Sequence, residues 1–371
     1  MGRLPLQPLS FPPDSPISMY TFNPGPSQVY PQVRQYLQDA YDEGWLSVPH
    51  RGERFTGLMR QTVTDLKTRL NVPQDYTVFF MSSATECWEV LTQSLTPTKS
   101  LHLYSGAFGE KWYDYAKALR PASQGIEFGL DDLPNIANLP LDSNTDLVCI
   151  TQNETSNATQ LRDGFILNLY NRIGNSLLAV DATSSLAGIQ MKYIKADIWF
   201  ASVQKCFGLP AGLSVMLLSP RALDRLRHIN ERAHYNSLAS QYEKMLNFQT
   251  THTPNVLGIY LLSRMLQDRP PIKAVHQHLT DRATKLYDYF DQATQLRPLV
   301  QNPETRSTTV VALQGPPALI DEVKRRALTQ GLQLGNGYGS WKPNTLRIAN
   351  FPAIPDAAFE QLVQFFARDF A

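Results

Sequence analysis

Residues 199–212 read WFASVQKCFGLPAG. Trp199–Val203 is apolar and β-prone, so it predicts a strand inside a core. The Gly and Pro residues of 208–212 predict a turn. Lys205 falls between the two, where the strand leaves the core. An ammonium group is costly to desolvate. A lysine at that point must be paired, shifted in pKa or used chemically, unless it snorkels to solvent along its own stem.

The same texture recurs on both sides. YTVFFM (76–81), SLHLYS (100–105), DLVCIT (146–151), SLLAVDAT (176–183), DIWFASV (197–203) and LSVMLLS (213–219) are short apolar runs, mostly separated by helix-length segments. ATECWEVLTQSL, after the first, has helical spacing. The pattern predicts an α/β fold with a largely parallel sheet covered by helices. Past FQTTHTPNVLGIYLLSRML (248–266) the texture shifts to long helices, notably over 272–295. STTVVALQG (307–315), a helix over 318–330, NTLRIANF (344–351) and a closing helix from Asp356 then predict a smaller C-terminal α/β domain. The expected division is an extended, Pro-rich N-terminal arm over 1–20, a large domain over 21–260 and a small domain over 261–371.

Bulk composition narrows the function classes. The 371 residues carry 34 Lys+Arg against 33 Asp+Glu, which argues against a nucleic-acid groove or an anionic membrane as partner. No apolar run approaches a membrane span, and no signal-like start is present. Cys87, Cys149 and Cys206 are too few and too scattered for a metal set or a disulfide framework. A soluble, reduced, cytoplasmic protein is expected.

Ligands of open α/β sheets bind outside the carboxyl ends of the strands. Three of those ends carry chemistry. YTVFFM runs into SSATE (82–86), where a helix start offers N–H groups to an anion such as phosphate, although an ordinary Ser/Thr cap reads the same way. SLLAVDAT delivers Asp181, and DIWFASVQK delivers Lys205. Together the three match what pyridoxal 5′-phosphate requires: an amine for a Schiff base, a carboxylate for the pyridine nitrogen and a loop for the phosphate.

The chain also resembles a known family. FNPGPSQVYPQV (22–33), SVPHRGERF (47–55), SSATECW (82–88), GAFGEKW (106–112), QNET (152–155), VDATSS (180–185), ASVQKCFGLPAG (201–212), THTP (251–254) and LRIANF (346–351) are similar to the class V aminotransferases, fold type I of the pyridoxal-phosphate enzymes, and within them to the phosphoserine aminotransferases. The resemblance implies a sheet of the seven-stranded type. It implies Lys205 as the Schiff-base lysine and catalytic proton carrier, with Asp181 facing the pyridinium. Phe108 would stack on the cofactor ring, with Trp112 one helical turn too far along. Thr155 and Gln204 would add polar contacts. Ser83, Ala84 and Thr85 would hold the phosphate. His252 and Thr253 would reach it from a neighbouring subunit, which implies a homodimer sharing its cofactor site. Thr253-Pro254 equally reads as a helix cap followed by Pro at the first helical position.

For the substrate, the resemblance implies Arg347 on the α-carboxylate and the His50-Arg51 pair on a phosphate. The second His-Arg pair of many phosphoserine aminotransferases is replaced here by Ser340, Trp341 and Lys342 in GYGSWKPNTLR (337–347), leaving Lys342 as a point charge. The implied reaction exchanges an amino group between amino acid and keto acid: phosphoserine with 2-oxoglutarate, in serine biosynthesis. A serine-, alanine- or glyoxylate-type aminotransferase of the same class is the alternative. A desulfurase is disfavoured because no cysteine follows Cys206. GNGYG (335–339) lacks the spacing and position of a dinucleotide fingerprint.

Overall fold

The computed structural model describes residues 19–292 and 295–370. All but the last two residues of the expected arm lie outside that range, as do residues 293 and 294 of the expected 272–295 helix.

A seven-stranded sheet organises the larger part of the fold. Its strand order is Thr77–Met81, Ser214–Leu218, Ile198–Ser202, Leu177–Asp181, Thr145–Thr151, Lys99–Tyr104 and Gln124–Glu127. Successive side chains point to opposite faces, and both faces are covered. Phe79, Ala179, Phe200 and Met216 pack with Trp88, Trp112 and Leu226 of the helices Ala84–Leu95, Ala107–Leu119 and Pro220–Ile229. Val78, Val180, Trp199 and Val215 enter the other core. All five residues of Leu177–Asp181 are buried, as are all five of Ile198–Ser202. This double burial is why the strands read as continuous apolar runs.

One strand departs from the parallel pattern. Ser214–Leu218 is antiparallel to both of its neighbours. A parallel return needs a crossover of a dozen or more residues, usually a helix. Residues 203–213 are too short and hold no helix, so the chain turns straight back. All the other strands therefore point the same way, and their carboxyl ends share one edge.

A second sheet of five strands has the order Tyr20–Phe22, Leu332–Asn336, Thr345–Ala349, Val310–Gln314 and Arg297–Pro298. Helices Ile272–Gln292, Pro317–Thr329 and Asp356–Asp369 accompany it. Tyr20–Phe22 runs parallel to Leu332–Leu334, so a segment from the start of the chain joins the C-terminal sheet.

Phe200 is fully buried at the centre of the larger sheet, edge-on to Trp112 at 5.2 Å. Phe200→Ala removes a ring from a site flanked by strands and so unable to collapse. It is expected to lower stability by about 3–5 kcal/mol, read from urea unfolding.

Candidate active site

The carboxyl edge of the larger sheet opens into a cavity of about 200 Å³ that contains Lys205, Asp181, Thr155, Phe108 and Arg347. The strand register builds it. Asp181 is paired with Thr151 on one side and Phe200 on the other, and Lys205 lies three residues beyond the end of the Phe200 strand.

Lys205 is 7% exposed. Its Nζ donates to Thr155 Oγ1 at 2.8 Å and lies 5.2 Å from the centre of the Phe108 ring. Burial brings its pKa down to about 8, against the pull of Asp181 and Glu154. The amine therefore loses its proton far more readily near physiological pH than a free lysine does. Gly25 packs against the lysine stem: a Cβ there would lie 2.9 Å from Lys205 Cε. Ser27 N donates to Gln204 O, so the Pro-Gly-Pro segment is tied to the lysine turn.

Asp181 is held from two sides. Oδ2 accepts from the Trp88 indole at 2.9 Å, and Oδ1 accepts from Thr183 N at 2.9 Å. Burial raises its pKa, opposed by those donors and by Lys205. Trp88 was not singled out in the sequence. Its signal is its place four residues after Ala84, which puts both on one helix face.

Arg347 enters from the second sheet, 7% exposed. Nη1 donates to Thr155 O at 2.7 Å and Nε to Asn336 O at 2.7 Å. Burial brings its pKa down to about 10, countered chiefly by Glu154. Thr155 thus serves both cations, the lysine with its hydroxyl and the arginine with its carbonyl. The Thr155 hydroxyl donates onward to Ser184 Oγ at 2.9 Å, and Ser184 Oγ donates to Asn153 O at 2.7 Å.

The remaining residues divide. Ala84, Thr85 and Gln204 line the cavity, and Ser83 does not. Ser83 caps its own helix, accepting from Glu86 N at 3.0 Å, while Ala84 N donates to Ser202 Oγ at 2.8 Å. Phe108 lines the cavity, whereas Trp112 is buried in the core beside Trp88. Tyr338, absent from the sequence reading, packs on Phe108 at 5.1 Å and lies 5.5 Å from the Arg347 guanidinium. GNGYG therefore delivers a tyrosine between two glycines.

Within one chain, His252 and Thr253 line a second cavity, with Gly212, Ser82 and Glu86. Thr253 is not the cap of the following helix: that helix is Val256–Asp268, and Asn255 caps it by accepting from Gly258 N at 2.8 Å. An Asn two residues past the Thr supplies the same kind of acceptor at the position where the helical backbone begins. Half-buried His50, exposed Arg51 and exposed Lys342 lie outside the Lys205 cavity.

The cavity fits pyridoxal phosphate. It offers an amine, a carboxylate fixed by two donors, an aromatic face and the first turn of a helix. Its walls also carry three buried oxygens without a hydrogen-bond partner among the described residues, Thr151 Oγ1, Thr183 Oγ1 and Gln204 Oε1.

Comparison with known proteins agrees. The model of the family Aminotransferase class-V matches residues 19–324. A phosphoserine aminotransferase of Rhodococcus opacus is 27% identical over 360 residues, covering 92% of this chain and 93% of the relative. The crystal structure of a phosphoserine aminotransferase from Cytophaga hutchinsonii superposes with a TM-score of 0.91 at 30% identity, covering 96% of this chain and 100% of the other. An alanine–glyoxylate aminotransferase from Nostoc sp. shares the fold, with a TM-score of 0.82 at 20% identity, covering 98% of this chain and 97% of the other. The chain belongs to the class V aminotransferases, pyridoxal-phosphate-dependent transaminases of fold type I.

Proposed function

We propose that the chain transfers an amino group between phosphoserine and 2-oxoglutarate, with 3-phosphohydroxypyruvate and glutamate as the product pair, in serine biosynthesis. The observation that carries the chemistry is the buried Lys205 amine sharing one cavity with Asp181 and Arg347. The substrate reading is supported by the relatives from Rhodococcus opacus and Cytophaga hutchinsonii, both phosphoserine aminotransferases that align over nearly the whole chain. The glyoxylate-type neighbour supports the fold alone.

When bound, the cofactor supplies an aldehyde and an electron-accepting ring on which amino groups are exchanged. The protein's part is to hold, orient and move protons. Lys205 is the residue that would hold the cofactor covalently, and its neutral Nζ would take and return the proton at the substrate Cα. Asp181, kept an acceptor by Trp88 and Thr183, would pair with the ring nitrogen and favour its protonated form. Phe108 would cover the ring face, and Thr155 and Gln204 would contribute polar contacts to its substituents. Ala84 and Thr85 bring the positive end of their helix to the phosphate, and Ser83 supports that end by capping it. Arg347 holds the α-carboxylate with the edge of its guanidinium not spent on Thr155 and Asn336.

The far end of the substrate falls to His50 and Arg51, with Lys342 as an additional point charge. We propose a cytoplasmic homodimer in which a second subunit supplies His252 and Thr253 to the cofactor phosphate. Their distance in the fold from Lys205 supports this, since they line a different cavity of their own chain. Division at about residue 260 is supported by the two separate sheets, Lys205 following a strand of one and Arg347 lying on the other, although Tyr20–Phe22 from the start of the chain joins the second.

Two outcomes are expected. Turnover of phosphohydroxypyruvate with glutamate should exceed that of glyoxylate with alanine or serine, and Arg51→Ala should lower kcat/KM for the phosphorylated substrate by about tenfold or more, the loss of one charged hydrogen bond. Preference for glyoxylate rejects the substrate assignment, and an unchanged kcat/KM in Arg51→Ala rejects the phosphate role of His50 and Arg51. Second, the rate at which the apoprotein captures pyridoxal phosphate should rise with pH through about 8, as Lys205 loses its proton. A profile flat across that range would contradict a lysine shifted by burial.

A further inference from the structure

Glu154 lies behind the cavity and takes no part in the chemistry above. It is 1% exposed, at the start of a two-stranded ribbon in which Asn153–Glu154 pairs with Thr159–Gln160. Such a buried carboxylate is costly unless it is fully engaged. Its engagements all lead to one place, the start of the Ala107–Leu119 helix. Oε2 accepts from Gly109 N at 3.1 Å. Oε1 accepts from Ser156 N at 2.9 Å and from Ser156 Oγ at 2.6 Å. Ser156 Oγ in turn accepts from Ala107 N at 3.1 Å. Glu154 and Ser156 together therefore occupy two of the free N–H groups at the positive end of this helix.

The helix sequence makes room for this contact. A Cβ on Gly106 would lie 2.7 Å from Glu154 Cγ and 2.6 Å from Ser156 Oγ. Phe108 sits between Gly106 and Gly109, so the clamp fixes the aromatic side chain that faces Lys205. Glu154 is also the anion nearest in influence to Arg347 and, after Asp181, to Lys205. Among the described residues Glu154 forms no ion pair with either, and their hydrogen bonds go to Thr155 and Asn336, so it acts through space rather than by contact.

We propose that Glu154 is a positioning residue of the active site, which anchors the helix end carrying Phe108 and supplies the fixed negative charge that stabilises the cationic forms of Lys205 and Arg347. The charged groups facing Lys205 are Asp181, Glu154 and Arg347, with Cys206 behind it; Asp181 also faces Glu154, and Tyr338 faces Arg347. Burial pushes the Glu154 carboxyl up, and the Ser156 and Gly109 donors hold it as a carboxylate against that push, so Asp181 in the cavity and Glu154 behind it stand against two cations. Removal of Glu154 leaves two cations against one anion, and this disfavours protonated Lys205. The inference rests on Lys205 being the residue that captures the cofactor.

The test compares wild type, Glu154→Gln and Ser156→Ala as apoproteins mixed with pyridoxal phosphate. In wild type the capture rate follows the deprotonation of Lys205, and borohydride trapping on Lys205 checks the underlying assignment independently. In Glu154→Gln the midpoint of the capture profile should fall by about 1 pH unit, the size of one unit charge removed from a partly screened interior. A midpoint unchanged or raised in a folded Glu154→Gln protein overturns the proposal, even where wild type captures the cofactor normally. Ser156→Ala keeps the charge and loosens the clamp. Its midpoint should match wild type while its Kd for pyridoxal phosphate rises about fivefold, the value of one hydrogen bond. If Glu154→Gln does not fold, Ser156→Ala decides: a wild-type Kd overturns the proposal.

Discussion

The site depends on keeping one amine dry. Lys205 stands just beyond the end of a central strand, where Gly25, Phe108 and the strand ends themselves shield it from bulk solvent. Burial lowers its proton affinity, and neighbouring carboxylates limit how far. Too little burial would leave an inert ammonium at neutral pH. Too much, without Asp181 and Glu154, would leave a lysine never able to carry a proton. The balance is set by groups on several different segments, so the amine's chemistry is a property of the assembled fold rather than of its local sequence.

Thr155 joins the two sheets at this point. Its hydroxyl receives the Lys205 amine and its carbonyl receives the Arg347 guanidinium. The lysine belongs to the seven-stranded sheet and the arginine to the five-stranded one. A substrate held by its carboxylate on Arg347 is therefore referenced to the same residue that places Lys205. This ties substrate orientation to the proton-moving group through two hydrogen bonds.

Much of this was legible in the sequence, for a physical reason. Strands covered on both faces must be apolar throughout, and the runs containing Val180, Trp199 and Val215 announced themselves. Gln124–Glu127 sits at the sheet edge with little apolar content and gave no such signal. The pairing of Tyr20–Phe22 with Leu332–Leu334 joins positions over three hundred residues apart, and no local pattern encodes it. Lys205 and Asp181 were readable because charged residues seldom follow buried strands without cause. Trp88, Tyr338 and Glu154 were not. An indole on an apolar helix face looks like core, a tyrosine between glycines looks like a loop, and a carboxylate next to Thr155 looks solvated until Gly106 and Gly109 bring a helix end to it.

The central claim is that Lys205 is the residue that carries the cofactor. Reduction of the holoprotein with borohydride, followed by proteolysis and mass mapping, tests it directly. The account predicts the phosphopyridoxyl mass on the peptide containing Lys205 and its loss in Lys205→Ala. Attachment at any other lysine, or an Lys205→Ala protein that transaminates at the wild-type rate, would contradict it.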